Sequence, residues 1–205
     1  MGAPSHSRRE AAVAFLAGLL APRPVLAQLL PPPSAEPADG GPYVPTPMQV
    51  VERMLELAKV APGDTVYDLG SGDGRLVIEA ARRHGARGVG VERDAALVER
   101  SRAAARQARV EERVRFVRGD IFDTSLQEAT VVTLYLLPAL LLRLSPKLRA
   151  ELRAGARIVS HDFALEDWPK EAMQQFESEE KEQNLGIGTT QLFLYRAPGP
   201  RAGGS

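Results

Sequence analysis

Apolar positions along the chain fall into two kinds of pattern, short runs typical of buried strands and longer stretches with helical spacing. The segment Asp64–Arg75 contains the sharpest change between them. Its β-branched and aromatic run Thr65–Tyr67 predicts a strand that ends at Asp68. Three glycines between positions 70 and 74 predict a tight turn, and apolar residues at helical spacing follow from Arg75 to Arg83. A strand, a glycine turn and a helix form a cradle whose backbone N–H groups face a ligand.

The same alternation continues to the end of the apolar pattern and predicts an α/β fold. Further strands are predicted at residues 89–92, 114–117, 130–137, 156–160, 172–176 and 189–195, and helices at 47–59, 94–108 and 138–154. The order of these elements predicts a Rossmann-like, doubly wound and mostly parallel sheet of seven strands, with helices on both faces and an antiparallel last strand.

Three local signals in this pattern make more detailed predictions. Thr46 is predicted to cap a helix whose first residue is Pro47. Ser145-Pro146 is predicted to interrupt the leucine-rich helix that Pro138 opens, because proline removes a helical hydrogen bond. The polar run from 177 to 184 is predicted to be a solvated loop or the tip of a hairpin.

Acidic residues follow three of the predicted strands directly. Asp68, Glu92 and Asp120 are separated by intervals of one strand–helix unit each, so a parallel sheet would bring all three to one edge. An acid after the second strand suits the two hydroxyls of a ribose, and Asp120 with the Ile121 amide suits an adenine amino group. The predicted cofactor-binding residues are Asp68, Gly70, Ser71, Gly72, Gly74, Glu92, Asp120 and Ile121.

Two ligands compete for the glycine turn. A dinucleotide fingerprint requires glycines at the first, third and sixth positions, and the sixth position counted from Gly70 is Arg75. The pattern therefore departs from pyrophosphate binding at its third glycine. The alternative is S-adenosylmethionine, whose cationic methionine part would face the acid at the strand end.

The segments Tyr43–Val51, Asp68–Arg75 and Leu152–Ser160 together resemble one group of class I methyltransferases. They are similar to the protein-lysine N-methyltransferases that act on the ATP synthase c-subunit and on the adenine nucleotide translocase. The resemblance implies S-adenosylmethionine as cofactor and a protein lysine, of a membrane protein in those relatives, as acceptor. No catalytic residue is assigned, but Tyr43, Thr46 and the turn Leu136–Pro138 are candidates for lining the acceptor channel.

Composition narrows the possible partners. The 205 residues include 26 basic and 26 acidic side chains, and this zero net charge gives no basic footprint for a nucleic acid. The absence of cysteine excludes disulfides, thiolate metal sites and cysteine nucleophiles. The histidines at 6, 84 and 161 lie too far apart in sequence for metal-ligand spacing, so no metal is predicted.

Three other functions remain compatible with part of this pattern. A small-molecule methyltransferase would share every cofactor residue and differ only on the acceptor side. A non-catalytic interaction module with the same fold would have no need of all three strand-end acids. An NAD-dependent oxidoreductase would require a glycine where Arg75 stands.

Residues 1–42 differ in kind from the rest of the chain. Arg8-Arg9 precedes an apolar run, and Val25-Leu26-Ala27 offers a small-residue cleavage site, as in a secretory signal peptide or a membrane-associating leader. A proline-rich linker follows, the methyltransferase domain is predicted at 43–197, and 198–205 form a flexible tail. A signal peptide predicts export of the protein, whereas S-adenosylmethionine is available in the cytoplasm. The sequence leaves both locations open.

We expect the leader to be separable from the fold, because its prolines interrupt any continuity with the helix after Pro47. A chain that begins at Gly41 should unfold at the same temperature as the full chain and bind the cofactor with the same affinity. Thermal unfolding and calorimetry on both proteins test this. Aggregation or weaker binding of the shorter chain would show that the leader packs onto the domain.

Overall fold

A computed structural model describes residues 43–200, and over this range the chain forms seven strands and five helices. The strands are β1 Thr65–Leu69, β2 Arg87–Glu92, β3 Val114–Arg118, β4 Val131–Leu134, β5 Arg157–His161, β6 Lys170–Glu177 and β7 Thr189–Arg196. The helices are α1 Met48–Leu57, α2 Arg75–His84, α3 Ala95–Gln107, α4 Pro138–Glu151 and α5 Glu179–Leu185. The leader, the linker and residues 201–205 lie outside the described residues.

All seven strands form one sheet in the order β3-β2-β1-β4-β5-β7-β6. The first five strands pair in parallel, and β7 runs antiparallel to both of its neighbours, β5 and β6. The predicted fold class is therefore confirmed, including the antiparallel last strand. The chain moves outward in one direction from β1 to β3 and in the other from β4 onward. This reversal leaves a crevice at the carboxyl end of β1, where open α/β sheets bind ligands.

The core has one layer on each face of the sheet. Val66 faces a layer built from α1, α2 and α3, whereas the next residue, Tyr67, faces a layer dominated by the leucines of α4. This alternation follows from the two-residue period of a strand. Among the helices of residues 43–200, none has the length and apolarity needed to cross a membrane.

The prediction for the polar run at 177–184 is wrong. Glu177 ends β6, and the residues from 179 onward form α5, which Ser178 caps by accepting a hydrogen bond from Lys181 N and which Gly186 ends in a left-handed conformation. Lys181 is buried because its ammonium lies 2.7 Å from the Asp162 carboxylate. Periodicity alone gave no apolar face, but the serine cap, the acidic first turn and the terminal glycine are helix signals.

The predicted start of α1 also needs correction. Pro47 is the cap residue, and no side chain of the cap position closes the helix, so Thr46 does not play that role. Glu180 of α5 instead accepts a hydrogen bond from Met48 N at 3.1 Å. A distant acid thus satisfies one of the free N–H groups at the helix start.

Two predicted boundaries in the fourth strand–helix unit differ from the structure. β4 ends at Leu134, so Tyr135 and the residues after it leave the sheet. α4 continues through Pro146 without a break. The carbonyl that loses its helical partner there belongs to Leu142, whose side chain is exposed, so water can satisfy it.

A buried ion pair fixes the edge of the sheet opposite the crevice. Asp64 accepts hydrogen bonds from the Thr130 hydroxyl at 2.7 Å and from Ala61 N at 2.8 Å, and it pairs with the Arg157 guanidinium. Arg157 also donates to the carbonyl of Ala58 at 2.7 Å. One carboxylate therefore joins the amino-terminal ends of β1 and β5 to the loop after α1.

We expect Asp64→Ala to lower the free energy of unfolding by about 3 kcal/mol, because it leaves the Arg157 charge largely buried without a partner. Glu171→Ala is the matched control, since it breaks the exposed Glu171–Arg196 pair and should cost less than about 1 kcal/mol. Urea denaturation of both variants measures the difference. Equal losses would contradict the importance assigned to the buried pair.

Candidate active site

A cavity of about 510 Å³ opens at the carboxyl ends of β1 and β2, and we call it the strand-end cavity. Its walls come from five parts of the chain, namely residues 43–46, the loop after β1, the end of β2 with the start of α3, the segment after β3 and the segment after β4. A volume of this size is typical of small-molecule sites. Seven of the eight predicted cofactor residues line it, namely Asp68, Gly70, Ser71, Gly72, Glu92, Asp120 and Ile121.

The eighth predicted residue, Gly74, lies under the loop rather than in the cavity lining. Its backbone has a positive φ of 78° and forms the cap of α2. A Cβ there would lie 2.5 Å from the Phe116 ring, so glycine is needed for packing as well as for the turn. Gly74 therefore shapes the loop.

Gly72 forms the part of the loop that other groups approach most closely. It has a positive φ of 53°, and a Cβ at this position would lie 2.3 Å from the Tyr43 ring. Its N–H donates to the Glu92 carboxylate at 2.9 Å. A side chain here would both strain the turn and displace the aromatic ring above it.

The Asp68 carboxyl is buried at the end of the central strand. It accepts a hydrogen bond from the Thr133 hydroxyl at 2.7 Å, which connects β1 to β4. Burial raises the pKa of Asp68 to about 7; the Thr133 hydrogen bond opposes this rise, and the nearby Glu92 and Asp73 add to it. Since the ordinary value is 3.8, the ligand-free fold loses stability as the pH rises from about 4 to about 7.

Glu92 is held in a fixed orientation at the end of β2. Its carboxylate accepts hydrogen bonds from Gly72 N at 2.9 Å, Arg93 N at 2.8 Å and Asp94 N at 2.9 Å. These three backbone donors aim the side chain at the glycine loop. Oε1 accepts two of these hydrogen bonds and Oε2 accepts one, so Oε2 keeps a lone pair that could accept from a ligand hydroxyl.

Asp120 and Ile121 occupy the segment after β3. Asp120 accepts a hydrogen bond from Phe122 N at 2.9 Å, which closes a local turn, and its backbone oxygen accepts from the Thr124 hydroxyl at 2.9 Å. Ile121 is buried against the α4 layer of the core. The turn thus presents a carboxylate and an apolar wall to the same side of the cavity.

Asp73 and Arg75 are site residues to which the sequence analysis gave no role in the site. Arg75 donates to Asp73 through Nε at 2.9 Å and through Nη2 at 2.7 Å, and its Nη1 donates to the Thr46 carbonyl at 2.8 Å. Burial raises the pKa of Asp73, but the hydrogen bonds from Arg75 outweigh it, so the pKa lies below its ordinary value. Arg75 departs from the dinucleotide pattern, and that departure was the available signal.

Only some of the residues predicted to line the acceptor channel lie in the strand-end cavity. Tyr43, Thr46 and Leu136 line the strand-end cavity, whereas Leu137 and Pro138 do not. The Leu137 side chain is exposed instead, because Pro138 begins α4 and turns the chain away from the sheet. Tyr135, which the sequence analysis treated as part of a strand, contributes to the lining.

The residues of the strand-end cavity fit S-adenosylmethionine. The buried Ser71 hydroxyl has no hydrogen-bond partner in the ligand-free protein, and the turn at Gly72 leaves no room for a side chain. Asp68 is a buried acid whose raised pKa a positively charged ligand would lower. Carboxylates at three strand ends can meet an ammonium or sulfonium group, two ribose hydroxyls and an adenine amino group.

Comparison with known proteins supports the same assignment. Residues 68–172 match the model of the ANTKMT methyltransferase domain. A protein-lysine N-methyltransferase of Saccharolobus islandicus is 46% identical over 135 residues, which cover 65% of this chain and 84% of that protein. The adenine nucleotide translocase lysine N-methyltransferase of mouse is 37% identical over 159 residues, and the match covers 77% of this chain but only 64% of the mouse protein.

A similar solved structure is also that of a methyltransferase, and it contains a bound ligand. It is described as an RNA methyltransferase from Salinibacter ruber in complex with S-adenosyl-L-homocysteine, and it is 46% identical with a TM-score of 0.68. The match covers 79% of this chain and 97% of that one. With the family model matching half of its length, the chain belongs to the ANTKMT methyltransferase domain family and is an S-adenosylmethionine-dependent methyltransferase.

Proposed function

We propose that the chain is a protein-lysine N-methyltransferase, which transfers the methyl group to the ε-amino nitrogen of a lysine side chain. The observation that carries this proposal is the 46% identity to a protein-lysine N-methyltransferase, together with the match to 84% of its length. The mouse relative at 37% identity is also named as a lysine N-methyltransferase. An acceptor in a membrane protein is part of the proposal, because the mouse relative is named for the adenine nucleotide translocase.

The strand-end acids have separate roles in this proposal. Asp68 faces the positively charged methionine part, Glu92 accepts from the ribose hydroxyls, and Asp120 with the Ile121 amide meets the adenine. Gly70, Ser71 and Gly72 let the backbone approach the ligand. The support for these roles is that all seven residues line one cavity.

Bound S-adenosylmethionine would supply a methyl group on a sulfonium; an amine lone pair would attack that methyl carbon in line with the carbon–sulfur bond, whose electron pair would leave with sulfur. The protein therefore has to align the two groups and exclude water. Residues 43–47, which we call the strap, cover the glycine loop, and Arg75 holds them by donating to the Thr46 carbonyl. An acceptor lysine must arrive without its proton, and burial in an apolar site favours the neutral amine.

RNA is the competing acceptor, because the Salinibacter ruber relative is described as an RNA methyltransferase. Charge favours the protein acceptor. The chain carries no net charge, and α5 places acidic residues in its first turn, close to the strap. A surface that binds RNA generally needs an excess of basic side chains to neutralise phosphates.

The place of action is part of the same proposal. The leader at 1–27 would keep the enzyme at a membrane, with the domain on the side where S-adenosylmethionine is available. This arrangement would bring the active site close to a membrane-protein acceptor. That no metal takes part stays a prediction from the sequence.

Affinity for S-adenosylmethionine is expected to rise with pH because of Asp68. With a pKa of about 7, the carboxyl is about one-tenth ionised at pH 6 and about nine-tenths ionised at pH 8. A positively charged ligand binds the ionised form, so affinity should increase about tenfold over this range. Calorimetry at both pH values measures the increase.

Asp68→Asn supplies the control for this measurement, because it keeps the side-chain size and removes the titration. The amino group of the cofactor titrates equally with both proteins, so the difference between their pH slopes isolates Asp68. Identical slopes for the two proteins would contradict the assigned role.

The acceptor class can be tested by methyl transfer with labelled S-adenosylmethionine in a cell lysate. We expect the label in mono-, di- or trimethyl-lysine of proteins, identified by mass spectrometry after hydrolysis, and we expect ribonuclease treatment to leave it unchanged. Asp68→Ala should reduce the labelling by at least tenfold through weaker cofactor binding. Label that appears only in RNA or only in small molecules would overturn the lysine acceptor.

A further inference from the structure

A second cavity of about 310 Å³ adjoins the strand-end cavity, and we call it the side cavity. Four residues line both cavities, namely Tyr43, Val44, Pro45 and Tyr135. The two spaces are therefore separated by no more than these side chains. Three of them come from the strap and one from the segment after β4, so the boundary joins distant parts of the chain.

The outer wall of the side cavity is formed by α5, the helix that the sequence pattern did not indicate. Lys181, Asn184 and Leu185 contribute this wall. The helix is held to the sheet because the Lys181 ammonium pairs with the Asp162 carboxylate at 2.7 Å and donates to the Thr189 carbonyl. The Leu185 side chain is 43% exposed, so it lies where the cavity meets solvent.

The side cavity differs in charge from the strand-end cavity. The latter is lined by several carboxylates, including Asp68 and Glu92. Among the described residues that line the side cavity, Lys181 is the one charged side chain. An amine in this space would meet mostly apolar walls, and the described residues that line it include no carboxylate to stabilise its protonated form. Methyl transfer requires that neutral form.

Tyr135 is fixed at the boundary between the two cavities. Its ring stacks on the His161 imidazole, with centroids 4.0 Å apart and planes 30° apart. His161 is fully buried and its two ring nitrogens have no hydrogen-bond partner. Burial lowers the pKa of His161 to about 4, so the imidazole is neutral at physiological pH, and burial raises the pKa of Tyr135 so that its phenol is neutral too.

Tyr43 lies on the opposite side of the same boundary, directly over Gly72 of the glycine loop. Burial raises the pKa of Tyr43 as well, and the negative charge of Asp73 adds a smaller rise. Two neutral aromatic rings therefore lie at the boundary between the side cavity and the strand-end cavity. Aromatic faces accommodate both the methylene chain of a lysine and the methylated ammonium that forms from it.

We propose that the side cavity is the channel through which the acceptor lysine reaches the strand-end cavity, with Tyr43 and Tyr135 flanking its inner end and Leu185 at its mouth. This inference rests on the proposed lysine acceptor and names the site that would hold it. In the reaction, the nitrogen lone pair forms the bond to the methyl carbon, and the carbon–sulfur bond breaks with its electron pair going to sulfur. The nitrogen loses one proton to water.

The test fills the mouth of the channel while leaving the strand-end cavity unchanged. Leu185→Trp adds bulk at a residue that lines only the side cavity, and Ile187→Trp is the matched control at an exposed position outside it. The probe is an S-adenosylhomocysteine analogue in which nitrogen replaces sulfur and carries an n-butylaminoethyl chain, as a mimic of the lysine stem. Calorimetry compares its affinity with that of S-adenosylhomocysteine.

The unmodified protein should bind the probe at least about tenfold more tightly than S-adenosylhomocysteine, because the added chain buries several methylene groups. Leu185→Trp should reduce this advantage to less than about threefold with unchanged affinity for S-adenosylhomocysteine, and Ile187→Trp should retain it. Asn184→Trp, at another exposed position of the same wall, should behave like Leu185→Trp. It takes the place of Leu185→Trp if that variant does not fold. The channel proposal is wrong if Leu185→Trp or Asn184→Trp binds the probe with the full affinity advantage over S-adenosylhomocysteine. It is also wrong if the unmodified protein shows no such advantage.

Labelling of lysine separates this inference from the proposed function. If the unmodified protein labels lysine, we expect Leu185→Trp to reduce that labelling at least tenfold and Ile187→Trp to leave it unchanged. This result supports the channel. Lysine labelling that persists undiminished in Leu185→Trp overturns the channel and leaves the lysine acceptor intact. Label found only in RNA overturns both.

Discussion

The carboxyl group of Asp68 is buried at the end of the central strand, and much of the site follows from how that burial is compensated. One hydrogen bond from Thr133 stabilises it, but this is too little to keep the pKa of Asp68 near its ordinary value. A cation in the strand-end cavity would relieve the cost. The ligand-free fold therefore holds an acid whose environment favours binding of a positively charged molecule.

The sheet topology puts Asp68 in this position. β1 lies between β2 and β4, so the chain leaves it in opposite directions and opens a crevice at its carboxyl end. Glu92 reaches the same crevice from β2, and its carboxylate is held by the N–H of Gly72. The acids and the glycine loop thus position one another before any ligand is present.

The strap closes this arrangement from above and is fixed by contacts from two distant elements. Arg75 donates to the Thr46 carbonyl, and Glu180 of α5 accepts from the N–H of Met48, the first residue of α1, directly after the strap. Lys181 in turn holds α5 to Asp162, a residue with a positive φ of 61° in the segment after β5. The strap and α5 line the side cavity, and α5 is in turn fixed to the segment after β5.

The sequence by itself determined the order of the strands and of the helices other than α5, the glycine turn and the three acids at strand ends. These features depend on local periodicity and on the rule that parallel strands end at one edge of the sheet, so residues close in sequence are sufficient. Only the tertiary structure decided that Lys181 of α5 is buried against Asp162, and that Tyr135 stacks on His161. It also decided that the side cavity lies between α5 and the strap. Those features depend on contacts between segments far apart in the chain, for which no local pattern of side chains carries a signal.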